Sequence, residues 1–259
     1  MKYYRLRWPS WVIVLCLGLM TFSFNVLAEH SSSLPVNDEV EIDLLHIGEN
    51  APVTVIWFAC NQGDETAEFE TAREMLKLGY QFYFPDMLSA HFLSPTASNI
   101  GKVPANEIVL VIQHIIEQTD AEQVYLVGGA RAAVPVLKGL ADPSIRDMDS
   151  KLIGALLITP RINEETPEPG AEPVYIDAAG LSKHPIRVLE GERTPNRWGL
   201  PYLKQVLGRS GSPVETEIIK GVRGFFYLRN DKSDAETEMT RNLPELIHQN
   251  IQKLGALKP

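Results

Sequence analysis

Residues 124–140 read VYLVGGARAAVPVLKGL. Val124 to Val127 form an apolar run of β-favouring residues, as expected for a strand buried on both faces. Gly128 and Gly129 follow, and glycine allows the backbone to turn sharply and approach other chain closely. From Arg131 to about Ala141 the apolar residues recur at helical spacing, so the segment predicts a strand, a tight turn and a helix.

The same unit recurs in both directions. VEIDLLHI (40–47) and PVTVIWFA (52–59) read as strands, and DETAEFETAREMLKLG (64–79) as an amphipathic helix ending on Gly79. YQFYFPDML (80–88) is the next strand. Pro104 opens a helix whose Ile108, Val111, Ile112, Ile115 and Ile116 share one face. LIGALLIT (152–159), PIRVLEG (185–191) and VETEIIKGV (214–222) are further strands. A C-terminal helix starts at a capping box, Ser233 to Glu236, and Pro244 is placed to kink it. The expected fold is α/β: a mainly parallel, doubly wound sheet of about seven strands with helices on both faces, in a single domain over residues 39–259. The polar residues 29–38, EHSSSLPVND, read as a flexible lead-in.

Residues 1–28 stand apart. Lys2, Arg5 and Arg7 precede an apolar run from Trp11 to Val26, and Val26-Leu27-Ala28 offers small residues for cleavage. This pattern predicts a signal peptide and a periplasmic or secreted protein, with an uncleaved anchor as the alternative. Residues 1–28 hold three basic and no acidic residues, so the remainder carries 21 basic against 33 acidic side chains. An excess of 12 negative charges opposes nucleic acid and anionic membranes as partners. Outside the apolar run, which contains Cys16, the chain has one cysteine, Cys60, and therefore no internal disulfide.

Gly128-Gly129-Ala130-Arg131-Ala132 resembles the nucleophile elbow G-x-S-x-G of the α/β-hydrolase superfamily. The segment KGVRGFFY (220–227) resembles the G-x-x-H-G-F ending of its dienelactone-hydrolase-like members, and EGERTP (190–195) falls where the acid is expected. The resemblance implies an acyl-transfer scaffold with its site at the carboxyl edge of the sheet. It also implies that the triad is degenerate. Ala130 stands for the serine, Thr194 or a neighbour for the acid, and Arg223 for the histidine. Serine needs an imidazole to take its proton, and the imidazole needs a carboxylate to orient it. Loss of the nucleophile alone costs on the order of a million-fold in turnover in a measured triad.

Backbone donors survive such loss. The resemblance places the oxyanion-hole N–H groups at Arg131 and around Cys60-Asn61-Gln62-Gly63, beside a helix N-terminus that favours anions. Arg131, Arg193 and Arg223 are all expected near that edge, with Trp198, Asn61 and Gln62. They suit a small anionic ligand, or a protein partner, unless the arginines pair with Glu190, Glu192 and Asp86. The expected role is thus a non-catalytic binding or accessory protein. Two alternatives stay open: a thiol enzyme using Cys60 and His91, oriented by Asp64 or Asp86, and an interaction module using its acidic surface. There is no G-x-G-x-x-G, H-E-x-x-H or paired-cysteine pattern, so no cofactor and no metal are expected. Trp57, Trp198, Phe225, Phe226 and Tyr227 are expected in the core rather than in a cofactor box, with a position beside the pocket as the alternative for Trp198.

Overall fold

A computed structural model describes residues 29–59, 66–146, 151–168 and 170–257. Eight strands form one sheet: β1 Glu29–Pro35, β2 Glu41–Ile47, β3 Val53–Phe58, β4 Tyr80–Asp86, β5 Gln123–Gly129, β6 Leu152–Ile158, β7 Ile186–Gly191 and β8 Val214–Ile219. Their spatial order is β1-β2-β4-β3-β5-β6-β7-β8. β3 to β8 are mutually parallel, whereas β2 runs antiparallel to both β1 and β4. The order reverses between β4 and β5, and β3 lies between them, so the carboxyl ends of β3 and β5 form the switch point where this architecture places its sites.

Residues 29–35, read as flexible from their polar composition, instead form the edge strand β1. Backbone ladder bonds do not need apolar side chains, and an edge strand faces water on its free side. Leu34 anchors it in the core, Ser33 donates to Asp43 (2.7 Å), and Glu29 pairs with Arg73 (2.7 Å). This adds an eighth strand to the seven expected.

The principal helices are α1 Thr66–Met75, α2 Ala105–Gln118, α3 Ala133–Ala141, α4 Leu200–Leu207, α5 Asp234–Arg241 and α6 Leu243–Gly255. α2 packs beside α3, and α1 beside α6. The central strands are covered on both faces, so Val55, Ile56, Leu126, Val127, Leu156 and Leu157 are fully buried. The Ser233–Glu236 capping box is present at α5. The single C-terminal helix expected from the sequence is two helices, broken at Asn242. Pro244 lies in the first turn of α6, where its missing N–H costs nothing.

Candidate functional site

β5 ends at Gly128-Gly129, and Ala130 follows with φ +51°. This is left-handed backbone that non-glycine residues adopt at a cost. A single 3₁₀ turn, Ala130–Ala132, then leads into α3. The strand–elbow–helix geometry of the resemblance is therefore present, with a methyl group at its tip. Gly128 is required by close approach: a Cβ there would lie 2.6 Å from the Ala132 carbonyl oxygen. Gly129 is required by a neighbour, since a Cβ there would lie 1.7 Å from the Tyr227 hydroxyl. Tyr227 is fully buried, and its hydroxyl donates to Glu68 Oε1 (3.2 Å), itself fully buried in the first turn of α1.

The tip is also covered. Arg161 N–H donates to the Ala130 carbonyl (2.9 Å), and Arg131 Nη1 donates to the carbonyls of Arg161 (3.2 Å) and Asn163 (2.6 Å). Residues 161–163 are thereby tied to the elbow, and only 4% of Ala130 is exposed.

The segments expected to carry the acid and the base do meet. Arg193 N–H donates to the Val222 carbonyl (2.9 Å), and a Cβ on Gly224 would lie 3.7 Å from Thr194 Oγ1. Their side chains do other work. Thr194 Oγ1 accepts from Asn196 N–H (3.4 Å) and caps the 3₁₀ turn Pro195–Gly199. The Arg223 guanidinium donates to both carboxylate oxygens of Glu236 (2.7 and 2.6 Å), to Asp231 Oδ2 (3.1 Å) and to the Asp231 carbonyl (2.7 Å). These bonds hold the fully buried Glu236 carboxyl well below its usual range. Asp231, bonded first by Arg229 and then by Arg223, is lowered to about 2. Arg223 is thus committed to α5 and its preceding loop. The expected partners Glu190, Glu192 and Asp86 do not pair with it: Glu192 Oε2 accepts from Gly221 N–H (2.9 Å), and Asp86 Oδ1 from Ser89 N–H (3.0 Å).

Glu190 is 1% exposed at the carboxyl end of β7. Burial pushes its carboxyl up to about 7, opposed only partly by the hydrogen bond it accepts from Gly191 N–H (2.9 Å).

The cations that lack a carboxylate partner are elsewhere on the rim. Arg131, Arg161, Arg193 and Arg197 form no ion pair among the described residues, although the protein is acidic. Arg131 is half-buried, and its pKa is lowered by desolvation and then by Arg161. Lys138, bonded to the carbonyls of Gly101 (2.7 Å) and Val103 (3.0 Å), is lowered in the same way by burial and by Arg131. Arg161 lies over the Phe225 ring (5.3 Å), and the exposed Arg193 leaves from the neighbouring turn. Arg197 donates to the Glu192 carbonyl (2.9 Å) and covers the ring of Trp198 (4.4 Å). Trp198, expected in the core, is instead 76% exposed and stands on the rim, its ring covered by Arg197. Trp57, Phe226 and Tyr227 are core as expected, and Phe225 is half-buried.

Cys60, Asn61, Gln62 and Asp64 lie outside the described residues. His91 follows β4, and its Nε2 is 2.5 Å from Glu107 Oε2, a nearly buried carboxylate on α2. Its orienting acid is therefore Glu107 and not Asp86, which accepts from Ser89 N–H. Arg161 and Glu107 belong to the site and were not singled out by sequence reasoning. Arg161 had a usable signal, because it follows the carboxyl end of a core strand. Glu107 had none, being one of many acids on an exposed-looking helix start.

No family model matches the chain, and no curated protein matches it. Solved structures do. A protein described as a dienelactone hydrolase from Klebsiella pneumoniae superposes with a TM-score of 0.65 at 14% identity, covering 90% of this chain and 100% of that one. Esterase 2 of Thermogutta terrifontis, phosphonylated by sarin, gives 0.63 at 12% identity, covering 90% and 97%. The thioesterase domain from the curacin biosynthetic pathway gives 0.56 at 12%, covering 85% and 99%. The chain has the α/β-hydrolase fold.

Proposed function

We propose that this chain is an exported α/β-hydrolase-fold protein that has given up acyl-transfer chemistry and binds a small anionic ligand at the carboxyl edge of its sheet. The observation that carries this reading is the elbow itself. Its strained geometry persists with Ala130 at the tip, and the side chain in the base position, Arg223, is held by Glu236 and Asp231. An imidazole could not be replaced by a guanidinium that never gives up its proton. Because residues 161–163 cover the tip, the ligand meets the rim above it, where Arg161, Arg193 and Arg197 lack carboxylate partners among the described residues. Guanidinium forks suit carboxylates and phosphate esters.

The test is a thermal-shift series with short-chain carboxylates and phosphate monoesters, run on the wild type and on an Arg161→Ala/Arg193→Ala variant. Stabilisation of the wild type that the double variant loses supports the reading. Equal responses from both proteins, or none from the wild type across the series, count against it.

A second reading keeps one supporting observation. His91 is an imidazole oriented by a buried carboxylate, the arrangement that would activate a thiol such as Cys60. Hydrolysis of p-nitrophenyl acetate by the wild type and by Cys60→Ala separates the two.

A further inference from the structure

A second polar cluster sits at the opposite edge of the sheet from the elbow. β1 and β2 run antiparallel, and His30 pairs directly across from His46. Directly opposed residues on antiparallel strands bring their side chains together on one face. Here the two rings meet edge to face, centroids 4.6 Å apart, with His46 Nδ1 3.2 Å from His30 Nε2.

Hydrogen bonding fixes which lone pair is available. Gln81 Nε2 donates to the hydroxyls of Thr54 and Thr119 (3.0 Å each) and faces the Ala51 carbonyl (3.4 Å), which can only accept. Gln81 therefore presents Oε1 to His46 Nε2 at 3.2 Å, and that nitrogen must carry the proton. His46 Nδ1 is left as an unprotonated acceptor aimed at His30. His46 Nδ1 thus accepts from His30 Nε2–H, a bond that an ion would replace; an outer N–H held by a fixed acceptor is how metal-binding imidazoles are oriented. Tyr83 stacks flat on the His46 ring (4.1 Å, 7°), so its direction is fixed by packing as well.

The separation matches the chemistry. Two nitrogens each about 2.0–2.1 Å from one tetrahedral ion stand about 3.3 Å apart. His46 is nearly buried and His30 is exposed, so only the His30 ring needs to turn for both lone pairs to converge. The pair opens onto a cavity of about 390 Å³ that is also lined by Glu49, His114 and Asp120, which supplies room for water ligands and negative potential. No group of three His, Cys, Asp or Glu among the described residues is arranged to hold a metal, so the site in question has two protein ligands at most.

We propose that His30 and His46 form a binding site for one divalent transition-metal ion of the imidazole-favouring kind, at the amino edge of the sheet and separate from the elbow. Imidazole pairs favour zinc, copper and nickel over the oxygen-seeking magnesium and calcium. Sequence patterns could not show the site, because its two ligands are 16 residues apart on different strands. The site ties the edge strand β1 to β2, so the ion also stabilises the folded sheet by mass action.

The test is competition of the purified protein with a chromogenic zinc indicator at neutral pH, using Zn²⁺ as the probe and Mg²⁺ as the control. The proposal expects one Zn²⁺ per chain, binding weakened at least tenfold in His30→Ala and in His46→Gln, and no response to Mg²⁺. His30 is exposed, so His30→Ala decides the matter even where His46→Gln disturbs the Gln81 network. No Zn²⁺ bound by the wild type, or binding undiminished in His30→Ala, overturns it.

Discussion

The hydroxyl of Tyr227 occupies the place where a side chain on Gly129 would begin: a Cβ built on Gly129 lies 1.7 Å from Tyr227 Oη and 3.0 Å from Cζ. The residue before the elbow tip and a residue of the loop after the last strand are therefore matched to one another. Gly129→Ala should destabilise the protein by about 3 kcal/mol, the upper end of what overpacking costs. Tyr227→Phe removes the clashing oxygen, so Gly129→Ala/Tyr227→Phe should be more stable than the sum of the single changes by at least about 1 kcal/mol. Urea unfolding of the four proteins measures this coupling, and strict additivity would mean that the two residues do not touch.

Ala130 carries the strain of the elbow with only a methyl group at its tip. Left-handed backbone costs an alanine about 1–2 kcal/mol, part of which glycine recovers at the expense of greater freedom in the unfolded chain. Ala130→Gly should leave stability unchanged or raise it by up to about 1 kcal/mol. A clear loss of stability would mean that Ala130 does not sit at positive φ.

Glu190 makes stability depend on pH in an unusual direction. Its folded-state pKa is raised by burial to about 7, above the ordinary 4.5, so the folded protein binds the proton more tightly than the unfolded chain. Stability is then highest below about pH 4.5 for this group and falls as pH rises to about 7, by on the order of 3 kcal/mol. Glu190→Gln keeps the acceptor for Gly191 N–H and removes the charge. It should be more stable than wild type at pH 8, with the difference vanishing near pH 4.5. Denaturation midpoints at the two pH values check this.

Arg223 works in the opposite sense. It holds the Glu236 carboxyl below its usual range, so the pair's contribution is present above the ordinary carboxylate pKa and is lost as pH falls through the lowered value. Arg223→Ala should lower Tm by several degrees at pH 7, and its deficit should shrink below about pH 4. A variant with wild-type Tm at pH 7 would show that the guanidinium is not committed to Glu236.

Most of the fold is legible in the sequence, because buried parallel strands are continuous apolar runs and their helices carry period-3.6 stripes. The elbow is legible too, since Gly128-Gly129 precedes an apolar helix and only small residues fit that turn. Two parts are not. β1 is almost wholly polar, and its strand state comes from backbone pairing to β2 and from the buried Leu34, which composition does not reveal. The partners of the rim arginines are equally hidden. Arg223 reaches Glu236, 13 residues on in the capping box of α5, whereas Glu190 and Glu192 bond to backbone N–H groups. Sequence does not show which acids a backbone N–H has already claimed.

The central claim is that nothing at this elbow performs acyl transfer. The most direct measurement is hydrolysis of p-nitrophenyl acetate and a matching thioester by the wild type, Cys60→Ala and Ala130→Ser side by side. The account predicts no turnover above the uncatalysed rate from the wild type or Cys60→Ala, and none gained by Ala130→Ser, because the position expected to supply the base holds Arg223, bonded to Glu236 and Asp231. Turnover by the wild type that Cys60→Ala abolishes would contradict it and make Cys60, with His91, the catalytic pair.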